Sequence, residues 1–435
     1  MHTLEQLRRG ELAGATRLDL SAGLTEFPEE IFALSDTLEV LNLSGNQLQS
    51  LPANLSRLHK LRILFCSNNP FTEVPEVLGE CSNLEMVGFK ANRINHLPAA
   101  ALSPALRWLI LTDNQLQDLP EDLGNCSRLQ KLMLAGNQLH FLPQSMEACH
   151  NLELLRIAAN RLESLPGWLL ELPRLSWLAF AGNPFSDTNE ARTLAQHPIP
   201  PIARDSIELG EILGQGASGI IRRANWKTAA RPMAAKLFKG SVTSDGLPHS
   251  EMAACIAAGD HHNLIQVVGP LEDEINTAPG LLMELIDPAF KVLAAPPSLA
   301  SCTRDCYAEG QGFSFEQVLN IVRGVASVLK HLHRSGILHG DLYAHNLLVD
   351  EYGKCLLSDF GAASFFAASG STSAALQRIE TRAFGCLLEE LLERIAPQDQ
   401  PAKQQRMRQL QAECFHIPTM QRPDFATLSA CLDGF

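Results

Sequence analysis

The stretch Leu213-Gly-Gln-Gly-Ala-Ser-Gly-Ile-Ile221 determines how the C-terminal half of this chain is interpreted, because of the residues that follow it. A G-x-G-x-x-G loop alone is weak evidence, since simple turns and dinucleotide sites share it. Here Lys236, then Asp341 and Asn346, and then Asp359 in an Asp-Phe-Gly sequence follow the loop in that order. A glycine cover, a lysine, a base and oxygen ligands for a cation are the parts that phosphoryl transfer needs.

Composition restricts the class of protein before any motif is considered. The chain has 435 residues, of which 46% are hydrophobic, so we expect two or more folded domains. A formal net charge of −13 argues against nucleic-acid and acidic-membrane partners. We expect a cytoplasmic protein with reduced cysteines, because we find no signal-peptide core and no apolar run of about 18 residues.

The first 185 residues repeat with a spacing of 23, with one step of 22, in units of the form L-x-x-L-x-L-x-x-N-x-L. The unit Leu38-Glu-Val-Leu-Asn-Leu-Ser-Gly-Asn46 shows the pattern. This pattern resembles the leucine-rich repeat, which implies an α/β solenoid with a horseshoe shape. The asparagines are expected to form a structural ladder that bonds turn backbone groups: Asn46, Asn69, Asn92, Asn114, Asn137, Asn160 and Asn183.

The outward-facing strand positions of the repeats are unusually apolar. Exposed apolar stripes usually mark an interface, so we predict that the concave face binds a protein substrate or regulator, or this chain's own C-terminal domain. An apolar surface without a partner is the alternative. The predicted contact residues are Val40, Ile63, Phe65, Met86, Trp108, Ile110, Met133, Leu154 and Trp177.

The repeat pattern stops after Phe185, and this change predicts the domain boundaries. We assign residues 1–185 to the repeat domain, 186–204 to a linker containing His197-Pro-Ile-Pro-Pro-Ile202, and 205–435 to a second domain. Three strands are predicted near 207–213, 219–224 and 234–238. Long helices are predicted near 315–334 and 383–395.

The second domain resembles the protein kinases. Besides the residues named above, Glu380-Thr-Arg-Ala-Phe-Gly385 resembles the D-x-W-x-F-G helix of that family, and Arg422-Pro-Asp-Phe425 resembles its R-P-x-F sequence. The resemblance implies an α+β bilobal domain. The whole chain therefore resembles a cytosolic, bacterial-type leucine-rich-repeat protein kinase.

The resemblance also implies roles for individual residues. Asp341 would be the catalytic base, Lys236 would hold the α- and β-phosphates while paired with Glu251, and Asn346 and Asp359 would bind Mg²⁺. ATP would contact the glycine loop, the lysine strand, the hinge after Leu281 and one residue beyond the catalytic loop. These positions are Gly214, Gln215, Gly216, Ala217, Ser218, Gly219, Ile221, Ala235, Lys236, Met283, Glu284, Leu285 and Leu348.

The substrate side departs from the kinase pattern. Gly340 replaces the arginine of H-R-D, Tyr343 and His345 match neither the Ser/Thr nor the Tyr signature, and no A-P-E follows Asp359. We favour transfer to protein Ser/Thr hydroxyls, with the repeats recruiting the substrate or restraining the kinase. A pseudokinase scaffold and a small-molecule phosphotransferase of the aminoglycoside or choline type are the alternatives.

Overall fold

The computed structural model describes residues 2–216, 218–228, 231–240, 242–272 and 279–435. These residues form two compact units that divide between Arg174 and Leu175, and we name them the N-terminal unit and the C-terminal unit.

The N-terminal unit is a solenoid of parallel strands, as the repeat pattern predicts. After helix α1 (Leu4–Arg8), each repeat contributes one three-residue strand, and neighbouring repeats pair in register, as in Met86 opposite Trp108 and Trp108 opposite Lys131. The strands are β1 (Arg17–Asp19), β2 (Val40–Asn42), β3 (Ile63–Phe65), β4 (Met86–Gly88), β5 (Trp108–Ile110), β6 (Lys131–Met133) and β7 (Leu154–Arg156).

Short 3₁₀ helices return the chain from one strand to the next. Five of the seven begin directly after one of the recurring prolines Pro75, Pro98, Pro120, Pro143 and Pro166, because a fixed φ suits this turn. The 3₁₀ helices are Glu29–Leu34, Leu55–Arg57, Glu76–Glu80, Ala99–Ala101, Glu121–Asn125, Gln144–Ala148 and Gly167–Glu171.

The core of the solenoid combines inward leucines with the predicted asparagine ladder. Leu41 and Leu43, which alternate with outward residues along the chain, have no exposed surface. The buried Asn137 side chain accepts a hydrogen bond from the Leu116 N–H at 3.0 Å and donates to the carbonyls of Leu111 and Leu134, each at 2.9 Å. The ladder therefore satisfies turn backbone groups that water cannot reach.

The outward stripe of the repeats is less exposed than predicted. Val40, Phe65, Trp108 and Ile110 are half-buried, whereas five others, Ile63, Met86, Met133, Leu154 and Trp177, are buried. In-register strands bring like positions close together, so the side chains cover one another. The Trp108 Nε1–H, for example, points at Met133 Sδ at 3.3 Å, and the Lys131 ammonium lies 4.4 Å from the Trp108 ring centre.

The C-terminal unit begins with the strand of the last repeat, β8 (Trp177–Ala179), and with a helix where a linker was predicted. Helix α2 (Pro184–Gln196) starts at a capping box between Asn183 and Ser186, with Pro184 at its first position. A fixed φ and a satisfied N-terminus favour helix formation, so residues 186–196 of the predicted linker are helical.

A six-stranded sheet and one helix follow α2. The strands are β9 (Ile202–Ala203), β10 (Ile207–Gln215), β11 (Gly219–Trp226), β12 (Arg231–Phe238), β13 (Val267–Glu272) and β14 (Gly280–Glu284). They lie in the order β10-β11-β12-β14-β13-β9. Helix α3 (Pro248–Ala257) connects β12 to β13 along the chain. The three predicted strands of this region are confirmed.

The rest of the C-terminal unit is mainly helical. Helix α4 (Phe315–Arg334) has the predicted bounds, whereas α5 (Ser371–Leu392) begins well before the predicted start near residue 383. The other helices are α6 (Pro401–Glu413) and α7 (Phe425–Asp433), and the short strands are β15 (Lys291–Val292), β16 (Ile337–Leu338), β17 (Leu347–Val349), β18 (Cys355–Leu357) and β19 (Ser364–Phe365). Among the described residues, we find no helix with the length and apolar character needed to cross a bilayer.

The asparagine ladder yields the first prediction. Asn137→Ala removes three hydrogen bonds and leaves the buried Leu116 N–H unpaired, whereas the Leu111 and Leu134 carbonyls keep their bonds from Asn114 and Asn160, so we expect the free energy of unfolding to fall by about 1–3 kcal/mol. Urea unfolding followed by circular dichroism measures the change. The control is Asn95→Ala at an exposed position; equal losses in both variants would contradict the structural role of the ladder.

Candidate active site

The glycine loop lies between β10 and β11, and its glycines differ in what surrounds them. A Cβ on Gly214 or Gly216 would meet no atom of the described residues within 4 Å apart from its chain neighbours, whereas a Cβ on Gly219 would lie 2.5 Å from the Leu237 carbonyl oxygen. Gly219 is therefore required by the protein's own packing. The open space beside Gly214 and Gly216 is available to a ligand that approaches the backbone.

The rest of the predicted loop is placed as follows. Gln215 pairs with Ile220 across β10 and β11, and the Ser218 carbonyl accepts the Lys239 N–H at 2.8 Å. Ala217 lies outside the described residues.

Lys236 and Glu251 form a buried ion pair between β12 and α3. Their side chains are 13% and 1% exposed, so the charges are withdrawn from water. Burial works to lower the pKa of Lys236, but the Glu251 and Asp359 carboxylates outweigh it and raise that pKa. Burial raises the pKa of Glu251, and the Lys236 ammonium partly offsets the rise. The lysine therefore remains a cation beside two carboxylates.

Helix α3, which carries Glu251, packs against α2 as well as against the sheet. The half-buried carboxyl of Glu190 on α2 lies beside Ser250 and His249 of α3, and burial raises the pKa of Glu190. On the sheet side, Met283 and Phe238 form an apolar cluster with Met252 and Ile256 of α3. The position of Glu251 thus depends on two different packing surfaces.

Met283 and the two residues after it, which were predicted to form the hinge, lie at the end of β14 and just beyond it. Met283 is buried on β14 opposite Ala234, and the Glu284 N–H donates to the Gln266 carbonyl at 3.0 Å. Glu284, at the end of β14, and the following residue Leu285 are half-buried. Three predicted nucleotide contacts remain. Ile221 on β11 and Leu348 on β17 are half-buried, and Ala235 on β12 is fully buried.

The predicted base, Asp341, is held by the predicted metal ligand Asn346. The Asn346 side-chain amide donates to the Asp341 carbonyl at 2.9 Å and to Asp341 Oδ2 at 2.7 Å. Because the amide nitrogen is committed to Asp341, the amide oxygen is the atom that can face a cation. The Asn346 carbonyl in turn accepts hydrogen bonds from the Ser358 N–H and hydroxyl, just before Asp359.

Asp359 has a left-handed backbone with a φ of 57°, which costs a non-glycine residue about 1–2 kcal/mol. Its Oδ1 accepts the Gly361 N–H at 3.1 Å, and this bond helps to hold the unusual conformation. The turns of the repeats show the same conformation at Ala91 and Ala159, with φ of 55° and 54°, so the backbone of Asp359 alone does not mark a functional site.

A fully buried carboxylate supports residues 339–346, which we name the catalytic loop after their predicted role. Glu380 on α5 accepts the Gly340 N–H at 2.8 Å and the His339 N–H at 3.4 Å, and it contacts His333 Nε2 at 2.6 Å. Burial works to raise the pKa of Glu380, but the His333 hydrogen bond and the neighbouring imidazoles lower it. The motif that carries Glu380 was recognised from the sequence, and the structure shows what the carboxylate does.

The other half of the catalytic loop packs on residues that sequence analysis did not connect with it. The Trp177 Nε1–H donates to the Leu342 carbonyl at 2.9 Å, and the indole stacks on the Tyr343 ring with centres 4.3 Å apart. Trp177 was predicted to lie on a stripe that binds a protein partner or this chain's own C-terminal domain; it is 1% exposed, because Leu342 and Tyr343 cover it.

Asp305 was also missed in the sequence. Its buried carboxylate contacts His345 Nδ1 at 2.7 Å and accepts the His345 N–H at 3.0 Å. Burial would lower the pKa of His345, but the Asp305 hydrogen bond and the nearby carboxylates of Asp341 and Asp359 raise it. Asp305 lies between β15 and α4, outside any motif that we recognised, so the sequence carries no signal that connects it with His345.

The residues present suit a magnesium ion. Asp359 supplies carboxylate oxygens and Asn346 an amide oxygen, which are the hard donors that Mg²⁺ prefers, and bound phosphates would complete the shell. Neither Asp359 nor Asn346 offers the imidazole nitrogen or thiolate sulfur that zinc sites usually use, so these two residues do not indicate a zinc site.

Family models match the repeats and the C-terminal half of the chain. Residues 207–384 match the family model described as protein kinase domain. Residues 36–79 match leucine rich repeats (2 copies), and residues 127–185 match leucine rich repeat.

Curated relatives match through the C-terminal half. Fibroblast growth factor receptor 1 of Pleurodeles waltl is 28% identical over 44% of this chain and 25% of its own length. Serine/threonine-protein kinase PknB of Mycobacterium leprae is 26% identical over 40% of this chain and 27% of its own length. This chain therefore spans about a quarter of the length of these relatives.

Among solved structures, a leucine-rich repeat protein of Leptospira interrogans is 28% identical, with coverage of 40% of this chain and 50% of that one. The TM-score is 0.34.

The two kinds of glycine in the loop yield a prediction. Gly216→Ala should leave thermal stability unchanged and weaken binding of Mg²⁺–ATP, because its Cβ meets only the space left for a ligand. Gly219→Ala should destabilise the unit by about 1–3 kcal/mol, because its Cβ overlaps the Leu237 carbonyl. Differential scanning fluorimetry and nucleotide titration measure the two effects. Equal nucleotide affinity in Gly216→Ala and the wild type would contradict a phosphate-binding role for the loop.

Proposed function

We propose that this chain, which joins leucine-rich repeats to a protein kinase domain, transfers the γ-phosphoryl group of ATP to a protein hydroxyl, of the Ser/Thr type. The observation that carries the proposal is the buried Lys236–Glu251 pair beside Asp359, since a buried cation held between carboxylates fits the phosphates of a nucleotide. A domain that had lost nucleotide chemistry would have no reason to keep this costly buried charge.

The residues of the site have separate roles in the proposed reaction. Lys236 would hold the α- and β-phosphates, with Glu251 fixing the ammonium. Gly214 and Gly216 would admit the phosphates close to the backbone, and the hinge at Met283 would receive the adenine. Asp341 would orient the acceptor hydroxyl and take its proton, a general-base contribution of about 10²–10⁴ in rate.

Asn346 and Asp359 would hold Mg²⁺ in the proposed site. When bound, the ion neutralises charge on the transferring phosphoryl group. The hydrogen bonds from Asn346 to Asp341 couple the metal ligand to the base, so both groups are oriented together.

A protein acceptor is favoured over a small molecule by the chain's other module. Leucine-rich repeats are protein-interaction surfaces in general, and serine/threonine-protein kinase PknB is among the relatives. The half-buried Phe65 and Trp108 side chains of the N-terminal unit leave apolar area for a protein substrate or regulator. A pseudokinase scaffold is less well supported, because Lys236, Glu251, Asp341, Asn346 and Asp359 are all present.

Transfer of label from γ-³²P-ATP by the purified chain with Mg²⁺ tests the function. We expect incorporation into the chain or into a generic protein acceptor, and a fall of at least about 10²-fold in Lys236→Met and in Asp341→Asn. Asp350→Asn, at a half-buried position beyond the catalytic loop, is the control and should retain activity. Equal incorporation in all variants would contradict the mechanism, and transfer only to an aminoglycoside or choline would replace the protein acceptor.

The repeat surface makes a separate prediction. With a protein acceptor identified by that assay, Phe65→Ala combined with Trp108→Ala should raise KM for the protein several-fold, while kcat and the ATP affinity stay unchanged. The physical reason is that these side chains lie in the N-terminal unit and would contribute binding area only. An unchanged KM would exclude recruitment through this surface.

A further inference from the structure

The strand of the last repeat contacts the catalytic loop on both sides of Asp341. After Asp341, the Trp177 indole donates to the Leu342 carbonyl at 2.9 Å and stacks on Tyr343 at an interplanar angle of 8°. Before Asp341, a Cβ on Gly340 would lie 2.6 Å from the Leu178 carbonyl oxygen. Gly340 also has a left-handed φ of 73°, so the close approach of β8 and the backbone conformation both require glycine.

The same strand and the turn after it also bind the segment that follows Asp-Phe-Gly. The Ser364 hydroxyl oxygen accepts the N–H groups of Phe180 and Ala181, at 2.8 and 3.2 Å. On α5, Arg382 Nη1 donates to the Ser176 hydroxyl at 2.8 Å. The buried groups of β8 and its turn are therefore bonded to three different parts of the C-terminal unit.

The segment after Asp-Phe-Gly is short, and this explains why the catalytic loop needs contacts from β8. Only residues 362–370 separate Gly361 from the start of α5 at Ser371, and β19 already uses Ser364 and Phe365. Little chain is left there to fold against Tyr343, whose ring is nevertheless 4% exposed. The rings that pack on it are the Trp177 indole, with centres 4.3 Å apart, and the His345 imidazole, with centres 5.0 Å apart.

We propose that Trp177 is a positioning residue for phosphoryl transfer: it fixes the backbone after Asp341, so that the last repeat completes the active site. The proposal rests on the proposed function, because positioning matters only if Asp341 meets an acceptor. It assigns the last repeat to the catalytic machinery rather than to the partner-binding surface of the earlier repeats. Phosphorylation of the segment after Asp-Phe-Gly is then unnecessary for ordering this loop.

A purely structural role for Trp177 makes different predictions. If the indole only packed in the core, its replacement would lower the melting temperature. Loop exchange, kcat and Mg²⁺–ATP affinity would then all change together with the loss of stability. A positioning role affects the backbone of residues 340–346 and the turnover number, while binding of Mg²⁺–ATP at the glycine loop and Lys236 stays unchanged. The two roles are therefore separable by experiment.

The test compares Trp177→Phe, Trp177→Ala and Trp226→Phe. The first keeps an aromatic ring for the stack and loses the N–H donor, whereas the second loses both. The control removes an indole from the apolar core of the β-sheet in the same unit, where Trp226 packs at the edge of a cluster with Ile207 and Met233. Hydrogen–deuterium exchange of peptides covering 338–347 reports the loop, since the Gly340 and Asn346 amides are hydrogen-bonded.

We expect loop exchange to accelerate in both Trp177 variants and to stay at the wild-type rate in Trp226→Phe. The kcat should fall several-fold in Trp177→Phe and about 10²-fold in Trp177→Ala, with unchanged Mg²⁺–ATP affinity. Wild-type exchange and kcat in Trp177→Phe, which is expected to fold, would overturn the proposal. If the wild type transfers no phosphate, the proposed function fails, whereas the exchange rates still decide whether Trp177 fixes the loop.

Discussion

The backbone from His339 to Tyr343 lies between a buried carboxylate and a buried indole, and the geometry of the candidate active site depends on the hydrogen bonds from these two groups. Glu380 bonds the N–H groups of His339 and Gly340 from the α5 side, and Trp177 bonds the Leu342 carbonyl from the β8 side. Each bond alone contributes about 1 kcal/mol, and somewhat more where a charge is involved. Together they determine the direction in which the Asp341 side chain points, and Asn346 then fixes its carboxylate.

Arg422 belongs to the sequence that resembles R-P-x-F, in a chain that has no A-P-E sequence after Asp359. The guanidinium is 1% exposed, and it donates to the carbonyls of His416 and Arg378 at 3.2 and 3.1 Å. Burial and, to a smaller extent, the nearby Arg382 guanidinium lower its pKa to about 10. Backbone carbonyls thus take over part of the role of a carboxylate, and the helical part of the unit keeps its buried arginine.

Local sequence patterns predicted the elements whose causes are local. The 23-residue period predicted the parallel strands and the asparagine ladder, and α4, which the structure caps with Ser314 and Gln317, has its predicted bounds. The order and spacing of the kinase-like motifs along the sequence identified five candidate site residues: Lys236, Glu251, Asp341, Asn346 and Asp359. Their roles in catalysis stay a proposal.

The contacts that were missed join residues far apart in the chain. Trp177 and Leu342 are separated by 165 residues, and Asp305 and His345 by 40. The repeat pattern made Trp177 equivalent to Trp108, so no local signal could show that one indole is covered by the catalytic loop. Helix α2 was missed because the prolines at 198 and 200–201 dominated the composition of a segment whose first half has a good helix start at Asn183.

The most direct measurement is the single-turnover rate of γ-phosphoryl transfer by the full chain after exhaustive phosphatase treatment, compared with untreated protein. Mass spectrometry of residues 369–373 would verify that Ser369, Ser371, Thr372 and Ser373 carry no phosphate. If β8 and Glu380 order the catalytic loop, the two rates should agree within a factor of about two, which corresponds to less than about 0.5 kcal/mol in the barrier. A loss of tenfold or more on dephosphorylation, restored by rephosphorylation of that segment, would contradict the account.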